Sequence, residues 1–208
     1  MTTDGDLALL GLTARDLLDR FAAGRNTPGA GSAAALGGAI AGALLETVAR
    51  HTIKAAQSGK RTAVHEPFRE RAEALLTAAG ERSRHLRAAV DEDAAAFERF
   101  WRARTDETLR HATEVPIAIA EHCLALAEIG IELHDRGFRN ARGEAGAAAL
   151  SAVANGEAAA FCAWLNLRFA GAAAWATDRN KDVADLRRRL RHLRSLVAAR
   201  IYQEEEPA

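Results

Sequence analysis

The sequence predicts an all-α protein: one domain over residues 1–208, built as a bundle of long antiparallel helices with no sheet. Three observations carry this. No segment of more than a few residues alternates apolar and polar side chains with period two, the mark of a half-buried strand. β-Branched residues are sparse. Ala, the best helix former, dominates a composition that is 49% hydrophobic yet only 5% aromatic. Such a chain assembles its core from many thin helix–helix contacts, because each Ala contributes little area.

The elements follow in order. Thr13 opens a capping-box-like "TARD", and Leu17, Leu18 and Phe21 form the apolar face of a short helix ending near Gly24. After the loop "NTPGAGS" (26–32), a helix runs from about Ser32 to Ile53, with Ala34, Gly37, Gly38, Ala41 and Gly42 as a small-residue face for close packing. "QSGKR" (57–61) is a turn. A long helix spans Pro67 to about Arg104, with Leu75, Leu86, Val90, Phe97 and Trp101 inward and Gly80 as a weak point. Thr105 with Asp106 and Glu107 starts the next helix, which Pro116 should kink and Gly137 should end. "FRNARGEAG" (138–146) is a second polar loop, followed by an Ala-rich helix to about Thr177. "DRNKD" turns the chain into a last helix whose Leu186, Leu190, Leu193, Val197 and Ile201 form one stripe. The acidic tail "EEEPA" frays.

Composition excludes several function classes. The 28 basic and 28 acidic residues cancel, which points away from nucleic acid and from anionic membrane. Residues 26–45 carry no charge, but this stretch is mostly Ala and Gly and reads as a buried helix, not a membrane span. The start of the chain lacks the basic region of a secretory signal, and Cys123 and Cys162 lie in helical patterns, so a cytoplasmic protein with buried thiols is expected. No Glu has His three residues later and the seven His show no chelating spacing, so no metal is expected.

Two features carry chemistry. Gly29-x-Gly31-x-x-Ala34 matches a loose dinucleotide fingerprint, but it follows an amphipathic helix where that motif requires a strand. What remains is a helix start whose free N–H groups and Ser32 hydroxyl can meet a polar ligand group, or simply cap a packing helix. In "AAVDEDAAAF", Asp91, Glu92 and Asp93 are spread over 200° of a helix, so one of them faces inward or into a cleft as a candidate general base. The alternative is a solvated acidic turn pairing with Arg84 or Arg87. The six arginines from Arg187 to Arg200 read as a solvated face.

In this order the pieces resemble the cyclodeaminase/cyclohydrolase family of folate enzymes. The likeness rests on "TPGAGSAAALGGAIAGAL", "DEDAAAF" (91–97), "ATEVPI" (112–117), "GFRNARGEAGAAA" (137–149) and "CAWLNL" (162–167), and spans residues 13–170. The resemblance implies a helical, typically homodimeric enzyme with a folate in a cleft among its helices. It also implies hydrolysis of the methenyl bridge of tetrahydrofolate, or closure of a formimino group with loss of ammonia, with no cofactor beyond the folate substrate. On that likeness Asp91 or Asp93 and Glu144 are the acid–base pair. Thr27, Pro28, Gly29, Gly31, Ser32, Asn140 and Asn166 line the substrate site, and Lys60 or Arg61 meets an anionic glutamate tail. The chain departs from the family pattern at Ala30, at Gly143-Glu144 (Ser-Asp in the family), at Cys162 (Asn in the family), and in a shorter segment after Phe97. These departures leave two alternatives: the same scaffold retuned for another small nitrogenous substrate, or a helical dimer that binds a ligand without catalysis.

Overall fold

The computed structural model describes residues 8–57, 66–171 and 173–202. Among these, six α-helices and three short 3-10 turns account for nearly every position, with no strand. They are α1 (Ala14–Ala22), α2 (Ala30–Gln57), α3 (Arg69–Ala103), α4 (Asp106–Arg136), α5 (Arg142–Ala170) and α6 (Ala174–Tyr202). Thr13 caps α1, accepting from the Asp16 N–H at 3.2 Å. Thr105 and Thr108 close a capping box at the start of α4.

Each long helix runs antiparallel to the next, as the pairs across each seam show. Gly38 and Gly42 of α2 lie against Leu86 and Ser83 of α3, and the Ser83 hydroxyl donates to the Ala39 carbonyl at 3.2 Å. Arg71 of α3 holds Glu132 of α4 through two hydrogen bonds of 2.9 and 2.7 Å. At the other end of that pair Arg99 meets His111 at 2.9 Å. Gly130 of α4 faces Ala149 of α5, while Glu157 of α5 pairs with Arg194 of α6. The small residues let backbones approach closely, and Leu45, Leu86, Ile119, Leu126, Leu133, Leu167 and Leu190 fill the space between.

Several boundaries differ from the sequence expectation. Helix α5 ends at Ala170, because Gly171 adopts the left-handed φ of +60° that an L side chain resists. The "DRNKD" stretch is therefore inside α6, where its acids are taken up by Lys181–Asp178 and Arg179–Asp182 pairs three residues apart. Helix α2 starts two residues earlier than expected. Gly80 does not interrupt α3. Trp101 is 48% exposed, not inward, and carries the Arg104 guanidinium 3.8 Å from its ring centroid. Helix α2 and the segment Arg139–Ala170 are apolar and long enough to cross a membrane, with mean hydropathy 1.5 and 1.2. Both are packed within the bundle, and their most apolar windows are 56% and 44% buried.

Candidate functional site

The first turn of α2 has N–H groups with no intrahelical acceptor, and the helix dipole makes that end partly positive. Asp93 of α3 is aimed at it. The Ser32 hydroxyl donates to Asp93 Oδ2 at 3.0 Å, and the Ser32 backbone N–H donates to the same carboxylate. Burial raises the Asp93 pKa above the ordinary aspartate value, and the two Ser32 donors only partly offset it. A carboxylate so placed binds a proton more tightly than a solvated one, as a general base requires.

Asp93 forms one wall of a cleft of about 250 Å³. Asn26, Thr27, Gly29, Ala30 and Gly31 supply the loop side, and Phe97 continues the α3 side. Ala112 of α4 and Cys162, Leu165, Asn166 and Phe169 of α5 complete it. The α4 and α5 walls are joined by a consequence of proline chemistry. Pro116 has no N–H to give the Ala112 carbonyl four residues earlier. Asn166 Nδ2 takes that place, donating to Ala112 O at 2.7 Å. The amide is thereby fixed in orientation, with its Oδ1 left as an acceptor at the cleft. The Cys162 thiol is pushed up to about 11, by burial first and then by the Asp93 charge, so it stays protonated at neutral pH.

The sequence-derived residues thus divide. Thr27, Gly29, Gly31, Asp93 and Asn166 meet in one cleft. Ser32 is buried behind it and acts through Asp93, while Pro28 is buried after a cis Thr27–Pro28 peptide and does not line the cleft. Asp91 is corrected: its Oδ1 accepts from the Leu9 N–H at 2.7 Å, fastening the chain before α1, and it does not line the cleft. Asn140 and Glu144 are also corrected. Both are exposed, Asn140 in the 3-10 turn before α5 and Glu144 in its first turn, and the 22 residues from Glu144 to Asn166 place Glu144 ~33 Å from Asn166 along the helix axis. Lys60, like Arg61, lies outside the described residues.

Sequence reasoning missed Asn26, Ala112, Cys162, Leu165 and Phe169, and treated Phe97 only as core. The signal for the α5 wall was present. Residues 162, 165, 166 and 169 recur at helical spacing, and Asn166, polar among apolar neighbours, suggests a cleft face over a core face.

A second groove of about 240 Å³ runs between α3 and α4, lined by His85, Glu92, His111, Glu114 and His122. Its polar groups are largely occupied: Arg82 meets His122 at 3.3 Å, Arg99 meets His111, and Arg179 holds Glu114 at 2.8 Å. Burial, with Arg82 nearby, lowers His122 to about 4, which leaves it neutral at pH 7. Among the described residues, no group of three or more His, Cys, Asp or Glu side chains is arranged to hold a metal ion.

Fold and cleft together define a helical-bundle protein with a half-buried, serine-bonded carboxylate in the wall of a small cleft. The profile of the formiminotransferase-cyclodeaminase family matches residues 13–185. Methenyltetrahydrofolate cyclohydrolase of Methylorubrum extorquens is 30% identical over 194 residues, covering 84% of this chain and 88% of that protein. The crystal structure of formiminotetrahydrofolate cyclodeaminase from Thermotoga maritima superimposes with a TM-score of 0.73 at 20% identity, covering 94% of this chain and 96% of that one. The chain belongs to the formiminotransferase-cyclodeaminase family, and it is an enzyme of the cyclohydrolase/cyclodeaminase type.

Proposed function

We propose that the protein hydrolyses the methenyl bridge of a tetrahydrofolate, with Asp93 as general base. The observation that carries this reading is the Asp93 carboxylate, half-buried in the cleft and oriented by Ser32. The identity to a cyclohydrolase over most of both chains supports the reaction class.

The substrate's chemistry suits the site. A methenyl bridge is an amidinium, so its carbon is electrophilic and its charge positive. The carboxylate attracts that charge and takes a proton from the attacking water. A C–O bond forms and a carbinolamine results. Collapse to the formyl group then breaks one C–N bond; the departing nitrogen receives the proton from Asp93, and the carbinol proton leaves to solvent. The Asn166 Oδ1 and the loop N–H groups orient the heterocycle, and Phe97 and Phe169 offer it aromatic surface.

The reading is tested by mixing protein with methenyltetrahydrofolate and following loss of its absorbance, which should exceed the spontaneous rate. The pH profile is the sharper check. Activity needs the carboxylate, so kcat/KM falls on the acid side at a pH above the ordinary aspartate range. Ser32→Ala removes a donor that favours the charged form, so its acid limb should move to higher pH; a limb that stays put or moves down contradicts the assignment.

A homodimer belongs to the same reading. Helices α2 and α5 leave Ala33 and Ile40, and Ala147, Ala154 and Ala158, exposed on faces without charged side chains, a surface suited to a second copy. Sedimentation at twice the monomer mass is the expected result.

A further inference from the structure

On the outer face of α5, Phe161, Leu165 and Phe169 recur every four residues and are 50%, 39% and 74% exposed. In a chain that is only 5% aromatic, such exposure needs a physical account. Leu165 and Phe169 belong to the cleft wall. One turn back, Phe161 stacks on Trp164 with ring centroids 5.8 Å apart. Over the same Trp164 ring lie two guanidinium groups, Arg168 at 5.5 Å and Arg187 of α6 at 5.6 Å. An apolar path therefore leads out of the cleft and ends at two cations.

Those two arginines are distinguished by the ring they share. Arg179, Arg188, Arg194 and Arg200 of α6 are each paired with a carboxylate; among the described residues Arg189 and Arg191 are not, but neither lies over an aromatic ring. Among the described residues, Arg168 and Arg187 meet no carboxylate; each has only the indole face. A guanidinium lying over an aromatic ring keeps its N–H edge free, and that edge matches a carboxylate in a two-pronged geometry.

Resting on the reading of the cleft as a folate site, we propose that this strip binds the tail of the substrate. The aminobenzoyl ring lies along Phe161 and Leu165, and the glutamate carboxylates meet Arg168 and Arg187. The cleft of about 250 Å³ then holds the bicyclic head, and the strip outside it holds the rest. Specificity for a glutamylated substrate resides in these two arginines.

The test compares two substrates, methenyltetrahydrofolate and its analogue that ends at the benzoate and lacks glutamate. The wild type should favour the glutamylated form by about tenfold or more in kcat/KM. The Arg168→Ala/Arg187→Ala variant should bring that ratio close to one, and the Arg168→Lys/Arg187→Lys variant should restore part of it. An unchanged ratio in the alanine variant overturns the proposal. Should neither substrate be turned over, the folate reaction fails without deciding the strip. Titration with p-aminobenzoylglutamate and with p-aminobenzoate, read by intrinsic tryptophan fluorescence, then decides it. Tighter binding of the glutamylated fragment, lost in the alanine variant whose helical circular dichroism is intact, supports the strip; equal binding of both fragments overturns it.

Discussion

Asp93→Asn abolishes turnover and, at pH 7, raises the melting temperature. Both effects follow from the same burial. The carboxylate accepts two hydrogen bonds from Ser32, yet desolvation still leaves its folded-state pKa above the unfolded value. A group raised in this way contributes stability below its unfolded pKa of about 3.9 and loses it as pH rises through the folded pKa. At pH 7 the charged form is therefore a burden on the fold. Asn keeps an acceptor for Ser32 and removes the charge. For a chain of this size each kcal/mol so recovered shifts the melting temperature by roughly 2–4 °C. Calorimetry at pH 7 and near pH 4 checks the sign, because the gap between variant and wild type should narrow at the lower pH. A variant less stable than wild type at pH 7 contradicts it.

Gly31→Ala should reduce kcat/KM by about a hundredfold or more while the helices persist. By propensity alone the change does not oppose α2, since Ala is the better helix former. Space decides otherwise. A Cβ at Gly31 falls inside the contact distance of all three atoms of the Asp93 carboxylate group, which must then swing away from Ser32. A displacement near 1 Å suffices for a loss of that size. Rate measurements alongside circular dichroism separate this outcome from unfolding. Wild-type rates in the variant would show that the position of Asp93 does not matter to catalysis.

Helix type and order were legible because Ala-rich periodicity, Thr caps and the glycine at the end of α4 act locally. The end of α5 was not, because "GAAAW" continues a helical composition and only the left-handed backbone at Gly171 reveals the stop. The convergence of the first loop with the acidic segment of α3 was also readable, but the choice of acid was not. Asp91 and Asp93 lie 200° apart on the helix. Which of them meets α2 depends on where the turn before α1 docks, and Leu9 docks on Asp91. Local likeness misled most in the second loop. It marked Asn140 and Glu144 without carrying any information about how far α5 holds them from Asn166. The Asn166 contact has its cause 54 residues away on α4, where Pro116 frees the Ala112 carbonyl that Asn166 binds.

The most direct test places the two neighbouring isosteric changes side by side in one assay of methenyltetrahydrofolate hydrolysis. Asp91→Asn retains an acceptor for the Leu9 amide and should work near the wild-type rate, whereas Asp93→Asn should leave only the spontaneous reaction. Loss of activity in Asp91→Asn with full activity in Asp93→Asn would contradict the account at its centre.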